Sequence, residues 1–294
     1  MLDLRTLVPA DTSALQDFLA AHRSHSMFLA SNSRIAPLGA TGRREAGCYL
    51  GAFEGRSGAL VGVAAHYEMG NIVVCAPGHA ARLCAGLVRE TGRPLSALVG
   101  PEPDVSAGLD ALGLSAGPFV CDEPEGLFEL DLDELRPPAA LTQGVVHGRP
   151  MAAADFEAVL EWSIDYSVES IGLARSPKLR ADSEARLRSY QPDEVWLLER
   201  EGRLVSMTRF NARLPDCVQI GEVWTPPELR GRGYARAVLA SHLQTWRDRG
   251  VTQAVLFTGD RNLPARAAYT ALGFREVGRY RVCVFAEPQP PPGP

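Results

Sequence analysis

Short apolar runs and polar turns recur along the chain in the same order twice. In the first half, residues 4–8 predict a strand, and Asp11-Thr12-Ser13 supplies the side chains that open a helix. Two strands, 49–53 and 59–67, flank the glycine-containing turn 54–58 and read as a hairpin. A helix over 78–90 follows, and 105–112 reads as a shorter one. In the second half a strand at 145–148 leads into a helix start at 152–155. Strands 195–199 and 203–210 then enclose the turn Arg200-Glu201-Gly202. The apolar strand 218–225 precedes a long helix, 234–249, in which Ala237, Val238, Ala240, Leu243 and Trp246 stand at helical spacing. A strand at 251–257, a helix at 263–272 closed by Gly273, and an apolar segment at 277–285 complete the pattern. Strand pairs with tight turns, interleaved with helices, predict an α+β fold, mixed α/β in layout and built on a largely antiparallel sheet. The resemblance between the halves points to an internal duplication.

The seam falls at Pro137-Pro138, where neither a helix nor a strand ladder continues. It divides the chain into domains 1–137 and 138–287, with a proline-rich, disordered or polyproline tail at 288–294. A length of 294 residues suits two domains. The first half holds 17 acidic and 10 basic residues, the second 18 and 20. The acidic half disfavours a nucleic-acid surface, and the second half suits a small anionic ligand. No run approaches the ~20 apolar residues of a membrane span. The N-terminus lacks the basic and apolar regions of a secretory signal. Six scattered cysteines without a C-x-x-C spacing then read as reduced thiols in a cytoplasmic protein, with no metal site. Lys178 is the single lysine and lies outside any phosphate-binding G-x-x-x-x-G-K motif. Gly113-Leu114-Ser115-Ala116-Gly117 matches G-x-S-x-G literally, but a helix precedes it where a nucleophile elbow needs a strand.

The informative chemistry follows strand 218–225, in Pro226-Pro227-Glu228-Leu229-Arg230-Gly231-Arg232-Gly233-Tyr234-Ala235-Arg236. A strand, a Gly/Arg loop and a helix N-terminus form an anion trap. Backbone N–H groups point out of the turn, and the helix adds partial positive charge. Gly231 and Gly233 keep Cβ atoms out of the way, while Arg230, Arg232 and Arg236 bring forked donors. About thirty residues on comes Asn262-x-x-Ala265-x-x-x-Tyr269-x-x-x-Gly273-Phe274.

These two ordered motifs resemble those of the GNAT acetyltransferase superfamily. The strong resemblance covers 215–285, and the second half from 144 is compatible with it. It implies two GNAT-like domains, each a twisted, mostly antiparallel sheet flanked by helices, of which 138–287 is catalytic. It also implies acetyl-CoA as co-substrate. Val223, Trp224 and Thr225 would offer backbone groups to its pantetheine arm. Arg230, Gly231, Arg232, Gly233, Tyr234 and Ala235 would hold the pyrophosphate, and Asn262 would bond the arm. Tyr269 would protonate the departing thiolate, and Glu222 is the candidate base for the acceptor amine. Asp165, Tyr166 and Glu169 lie where the family shapes its acceptor pocket. The implied reaction is direct acetyl transfer to a primary amine of a small molecule or peptide. The alternatives are a non-catalytic acetyl-CoA sensor and an acyltransferase using another acyl-CoA. The first half lacks both motifs. Its expected role is to roof the acceptor site or to carry a homodimer contact.

Overall fold

A computed structural model describes residues 2–55 and 58–291. The chain forms two compact units, one of residues up to Leu127 together with those from Gly278 on, the other Phe128–Val277. The expected divisions, 137/138 at the proline seam and 287/288 at the proline-rich tail, each lie ten residues further along the chain than these unit boundaries.

In the first unit, β1 (Leu2–Thr6) is followed by α1 (Thr12–Ala21), α2 (Arg23–Ile35), β2 (Gly47–Glu54), β3 (Ala59–Tyr67) and β4 (Asn71–Cys75). Then come α3 (Ala80–Thr91), β5 (Leu95–Pro101) and α4 (Glu102–Leu112). β1 to β4 are antiparallel in chain order, and α3 is the crossover that makes β5 parallel to β4. Leu83 and Leu87 of α3, Leu98 of β5 and Leu109 of α4 pack one core face. The expected turn at 54–58 includes residues 56 and 57, which lie outside the described residues.

β6 (Phe119–Asp131) carries the chain across the unit boundary. The second unit repeats the first almost element for element: the short helix α5 (Ala139–Thr142), β7 (His147–Pro150), α6 (Phe156–Ile171), α7 (Pro177–Ser189), β8 (Val195–Arg200), β9 (Arg203–Arg213) and β10 (Cys217–Trp224). α8 (Tyr234–Arg247), β11 (Gln253–Gly259) and α9 (Leu263–Leu272) follow. β7 to β10 are antiparallel, and β11 is parallel to β10. Successive side chains on a strand point to opposite faces. Val195, Leu197 and Met207 accordingly meet α6 and α7, joined by Trp224 beyond a register shift in β10, while Phe210, Ile220 and Leu256 meet α8 and α9. The β8–β9 turn has φ of 51° at Glu201 and 74° at Gly202, the primed turn whose twist matches a hairpin.

The last strand, β12 (Arg275–Gln289), leaves the copy that precedes it. From Gly278 it belongs to the first unit, where it pairs antiparallel with β5 from Tyr280↔Pro101 to Gln289↔Leu95. β6 in turn gives Phe128–Asp131 to the second unit, beside β11. Pro288 and Gln289 are therefore strand residues, contrary to the tail expected from 288. The register slips between Val284 and Gln289, which leaves room for a proline without an N–H. Residues 292–294 of that tail lie outside the described residues.

His242 of α8 is fully buried, stacked 3.9 Å from the Phe210 ring and 5.2 Å from the Trp196 ring. Its Nε2 lies 3.0 Å from the Asp193 carbonyl, which can only accept, so Nε2 carries a hydrogen, while Nδ1 is buried with no partner among the described residues and a second proton there would be unsatisfied. Burial pushes its pKa down to about 3. The unfolded chain takes up a proton below pH ~6.5 that the folded chain refuses. Stability from this group is thus complete above that pH and drains as pH falls. By pH 4 the loss should be on the order of 3 kcal/mol. Denaturant unfolding at pH 7 and pH 4 will show this slope in the native protein, and His242→Phe should flatten it.

Candidate functional site

β10 and β11 pair only from Cys217↔Gln253 to Gln219↔Val255, although β10 runs on to Trp224 and β11 to Gly259. Beyond Gln219 the two parallel strands part. The cause is visible on the other edge of β10, where the register with β9 shifts around Gly221. A Cβ at Gly221 would overlap the Asn211 amide, so this close approach needs glycine. Two buried donors flank the parted stretch without partners: Nε2 of Gln219 and Nε1 of Trp224.

The loop after β10 delivers the N-terminus of α8. Gly231 and Gly233 have φ of 75° and 78°. A Cβ at Gly231 would meet nothing within 4 Å, and one at Gly233 only the tip of Arg236 at 3.6 Å. The left-handed backbone by itself calls for glycine at both positions. No side chain caps α8, and its first helical bond is Ala237 N–H to Gly233 O at 3.1 Å. The N–H groups ahead of that bond are the donors an anion would take. Tyr234 contributes only backbone here. Its ring is buried, and its hydroxyl accepts from Arg200 Nη1 at 3.0 Å.

The loop arginines divide. Arg230 is held by the protein: Nε donates to Thr225 O at 3.0 Å, the guanidinium lies 4.8 Å over the Trp224 ring, and its fork meets Glu169. Among the described residues Arg232 reaches only Glu228 O, at 3.4 Å. The expected pantetheine segment is also braced, since Ser206 Oγ donates to Trp224 O at 2.8 Å and lies 2.9 Å from Thr225 Oγ1. Asn262 caps α9, its Oδ1 accepting from Ala265 N–H at 3.3 Å.

Tyr269 sits on α9, buried and edge-on to Phe274 at 6.0 Å. Burial raises its pKa, so the phenol keeps its proton. No hydrogen bond joins its hydroxyl to any described residue.

Glu222 is 2% exposed and does not stand as a free base. Its Oε1 accepts from Arg209 Nη2 at 2.6 Å and from Arg186 Nη2 at 3.1 Å, and its Oε2 accepts from Ser163 Oγ at 2.8 Å. Burial by itself pushes this carboxyl up, but the two arginines and these hydrogen bonds outweigh it and hold it below its ordinary value. An ionised carboxylate with both oxygens engaged anchors its neighbours and makes a poor proton acceptor. These contacts fit an anchor better than the proton acceptor read from its strand position. Arg209 also stacks on Tyr190 at 4.8 Å and donates to its hydroxyl. Arg186, Arg209, Ser163 and Ser206 were missed in the sequence. Arg209, late in the apolar strand 203–210 where the other arginine, Arg203, stands at the turn, was the available signal, because a charge buried there needs a partner. Asp165, a candidate for substrate contact, is engaged by Arg175.

The described residues of the first unit form no such groove. A Cβ at Gly100 of β5 would overlap Val74 O of β4, so these strands stay together almost to the end of β4. Only residues 76–79 join β4 to α3, against 225–233 between β10 and α8. The Asp104 carboxylate accepts from Ala76 N–H at 2.7 Å, which puts an acid where an anion would approach.

A profile of the acetyltransferase (GNAT) family matches residues 156–274. A mycothiol acetyltransferase of Thermomonospora curvata is 34% identical over 105 residues, 35% of this chain and 33% of that protein. The chain spans between a third and a half of the length of the curated relatives it matches. Two solved structures share the fold along nearly the whole chain. A GCN5-related N-acetyltransferase from Sphaerobacter thermophilus has a TM-score of 0.58 and 18% identity, covering 96% of this chain and 94% of that one. A tandem GNAT protein from the clavulanic acid biosynthesis pathway has a TM-score of 0.56 and 16% identity, covering 96% and 98%. No helix among the described residues is long and apolar enough to cross a membrane. The parted strands, the glycine loop and the uncapped α8 all lie inside the matched residues, so the segment 156–274 is the part of the chain that matches the GNAT acetyltransferase family.

Proposed function

We propose that the second unit binds acetyl-CoA and transfers its acetyl group directly to a primary amine. The observation that carries this reading is the pairing of an uncapped α8 N-terminus with strands that part beside it. The first suits a pyrophosphate, and the second suits an extended arm that completes the missing ladder bonds. The unpartnered donors of Gln219 and Trp224 at the ends of the parted stretch support a ligand with acceptor atoms there.

Bound acetyl-CoA supplies an activated thioester acetyl group. The chain's own residues do the rest. The loop N–H groups hold the phosphates, and Ser206 and Arg230 fix the main chain of Trp224 and Thr225. Tyr269 keeps a proton available for the leaving thiolate. Glu222 holds the bulged part of β10 in shape through Arg209. Cys217 is buried at the start of β10, which favours direct transfer over a covalent acyl-enzyme.

Calorimetric titration with acetyl-CoA, followed by thiol release against a panel of amines, tests the reading. Micromolar binding lost in Gly233→Glu, with thiol release above hydrolysis for some amine, is expected. Absence of acetyl-CoA binding by the native protein would refute it. Binding without release for any amine would favour the sensor.

A further inference from the structure

Glu157, Glu161, Asp165 and Glu169 follow one another at intervals of four on α6 and so form one row along the helix. Each is met by an arginine. Arg180 of α7 takes Glu157 and Glu161, and Arg175 of the α6–α7 connection takes Glu161 and Asp165. These contacts tie the helical hairpin to itself. The last one differs, because Glu169 is met by Arg230, from the loop ahead of α8. Glu169 is therefore the point where the hairpin is fastened to the anion-binding loop.

The contact is two-pronged: Nη1–Oε1 is 2.8 Å and Nη2–Oε2 is 2.9 Å. The Trp224 ring and the Thr225 carbonyl fix the guanidinium plane independently of Glu169. The edge turned to Glu169 is thus a preset receptor for any anion that offers two oxygens, and a phosphate does so as well as a carboxylate. Both side chains are half-exposed, at 42% and 50%, so the pair exchanges readily. Glu169 also lies in the last turn of α6, where the helix dipole opposes a negative charge. Among the described residues Arg230 is the cation paired with it.

We propose that Glu169 is a stand-in for a cofactor phosphate on Arg230. When acetyl-CoA binds, its phosphate takes the fork, Glu169 is released, and the end of α6 is unfastened from the loop. Glu169 thereby lowers cofactor affinity and ties the state of the hairpin to occupancy of the loop. The inference rests on the acetyl-CoA reading above.

Calorimetric affinities for acetyl-CoA at low salt, for the native protein, Glu169→Gln, Arg230→Gln and the double variant, decide it. Glu169→Gln should bind about threefold tighter. In the Arg230→Gln background the same substitution should change nothing. Tightening that persists without Arg230 would mean only general repulsion, and unchanged or weaker binding by Glu169→Gln would also overturn the proposal. Hydrogen exchange of the amides at 168–172 should speed up when acetyl-CoA binds the native protein. Unchanged or slower exchange would overturn the release of α6. If the native protein fails to bind acetyl-CoA, the cofactor reading itself falls. If it binds and only these differences are missing, that reading stands and this inference falls.

Discussion

Glu222→Ala should destabilise the second unit by about 3–5 kcal/mol, because it strips a buried guanidinium of its counter-charge. The Arg209 side chain is 7% exposed and cannot reach water without opening the layer between the sheet and α6–α7. Arg186, at 22%, can swing outward more easily. The melting temperature should fall by roughly 10 °C, followed by far-UV circular dichroism. Adding Arg209→Met to Glu222→Ala should restore part of the loss, since a buried pair replaced as a whole by apolar groups costs far less than one broken in half. The native contribution should also fade in acid. The folded carboxyl titrates below its ordinary value, so its stabilisation is present above the usual glutamate range and drains as pH falls through it. A Glu222→Ala protein that melts like the native one yet loses turnover would make Glu222 a base after all.

Tyr269→Phe should lower kcat by roughly 10²–10⁴-fold, the usual contribution of a positioned proton donor. Stability should hold to within about 0.5 kcal/mol. The hydroxyl has no hydrogen-bond partner among the described residues, and the ring contact with Phe274 survives in phenylalanine. Acetyl-CoA affinity should also be unchanged, so the effect belongs to kcat and not to binding. Because burial raises the pKa of this phenol, the native enzyme should show no loss of rate from its ionisation at alkaline pH up to ~10. A Tyr269→Phe enzyme of native kcat would remove Tyr269 from the chemistry.

The elements around the site were readable to different degrees. α8 was legible because its apolar positions repeat at helical spacing and two glycines precede it. The β8–β9 hairpin was legible because Glu201-Gly202 suits a tight turn. α9 was bracketed by Asn262, which caps it, and by Gly273, which ends it at a φ of 109°. The glycines of the loop were read for the space they leave a ligand, and the structure adds that both take left-handed dihedrals that by themselves call for glycine. The carboxylate row on α6 was present in the sequence as a four-residue interval, but its arginines come from other segments.

The sequence by itself determined what is decided within a few residues: left-handed turns, helix ends, strand alternation and the two spaced motifs. These depend on local dihedrals and on hydrogen bonds that close inside one segment. Tertiary structure alone decided the rest. Glu222 meets partners 13, 36 and 59 residues away in the chain, and their convergence turned a candidate base into an anchored anion. β12 pairs with β5 of the first copy instead of staying with its own. A strand offers the same row of N–H and C=O groups to either sheet, so its own residues do not choose the partner. That choice, like the parting of β10 from β11, is made by packing among segments distant in the chain.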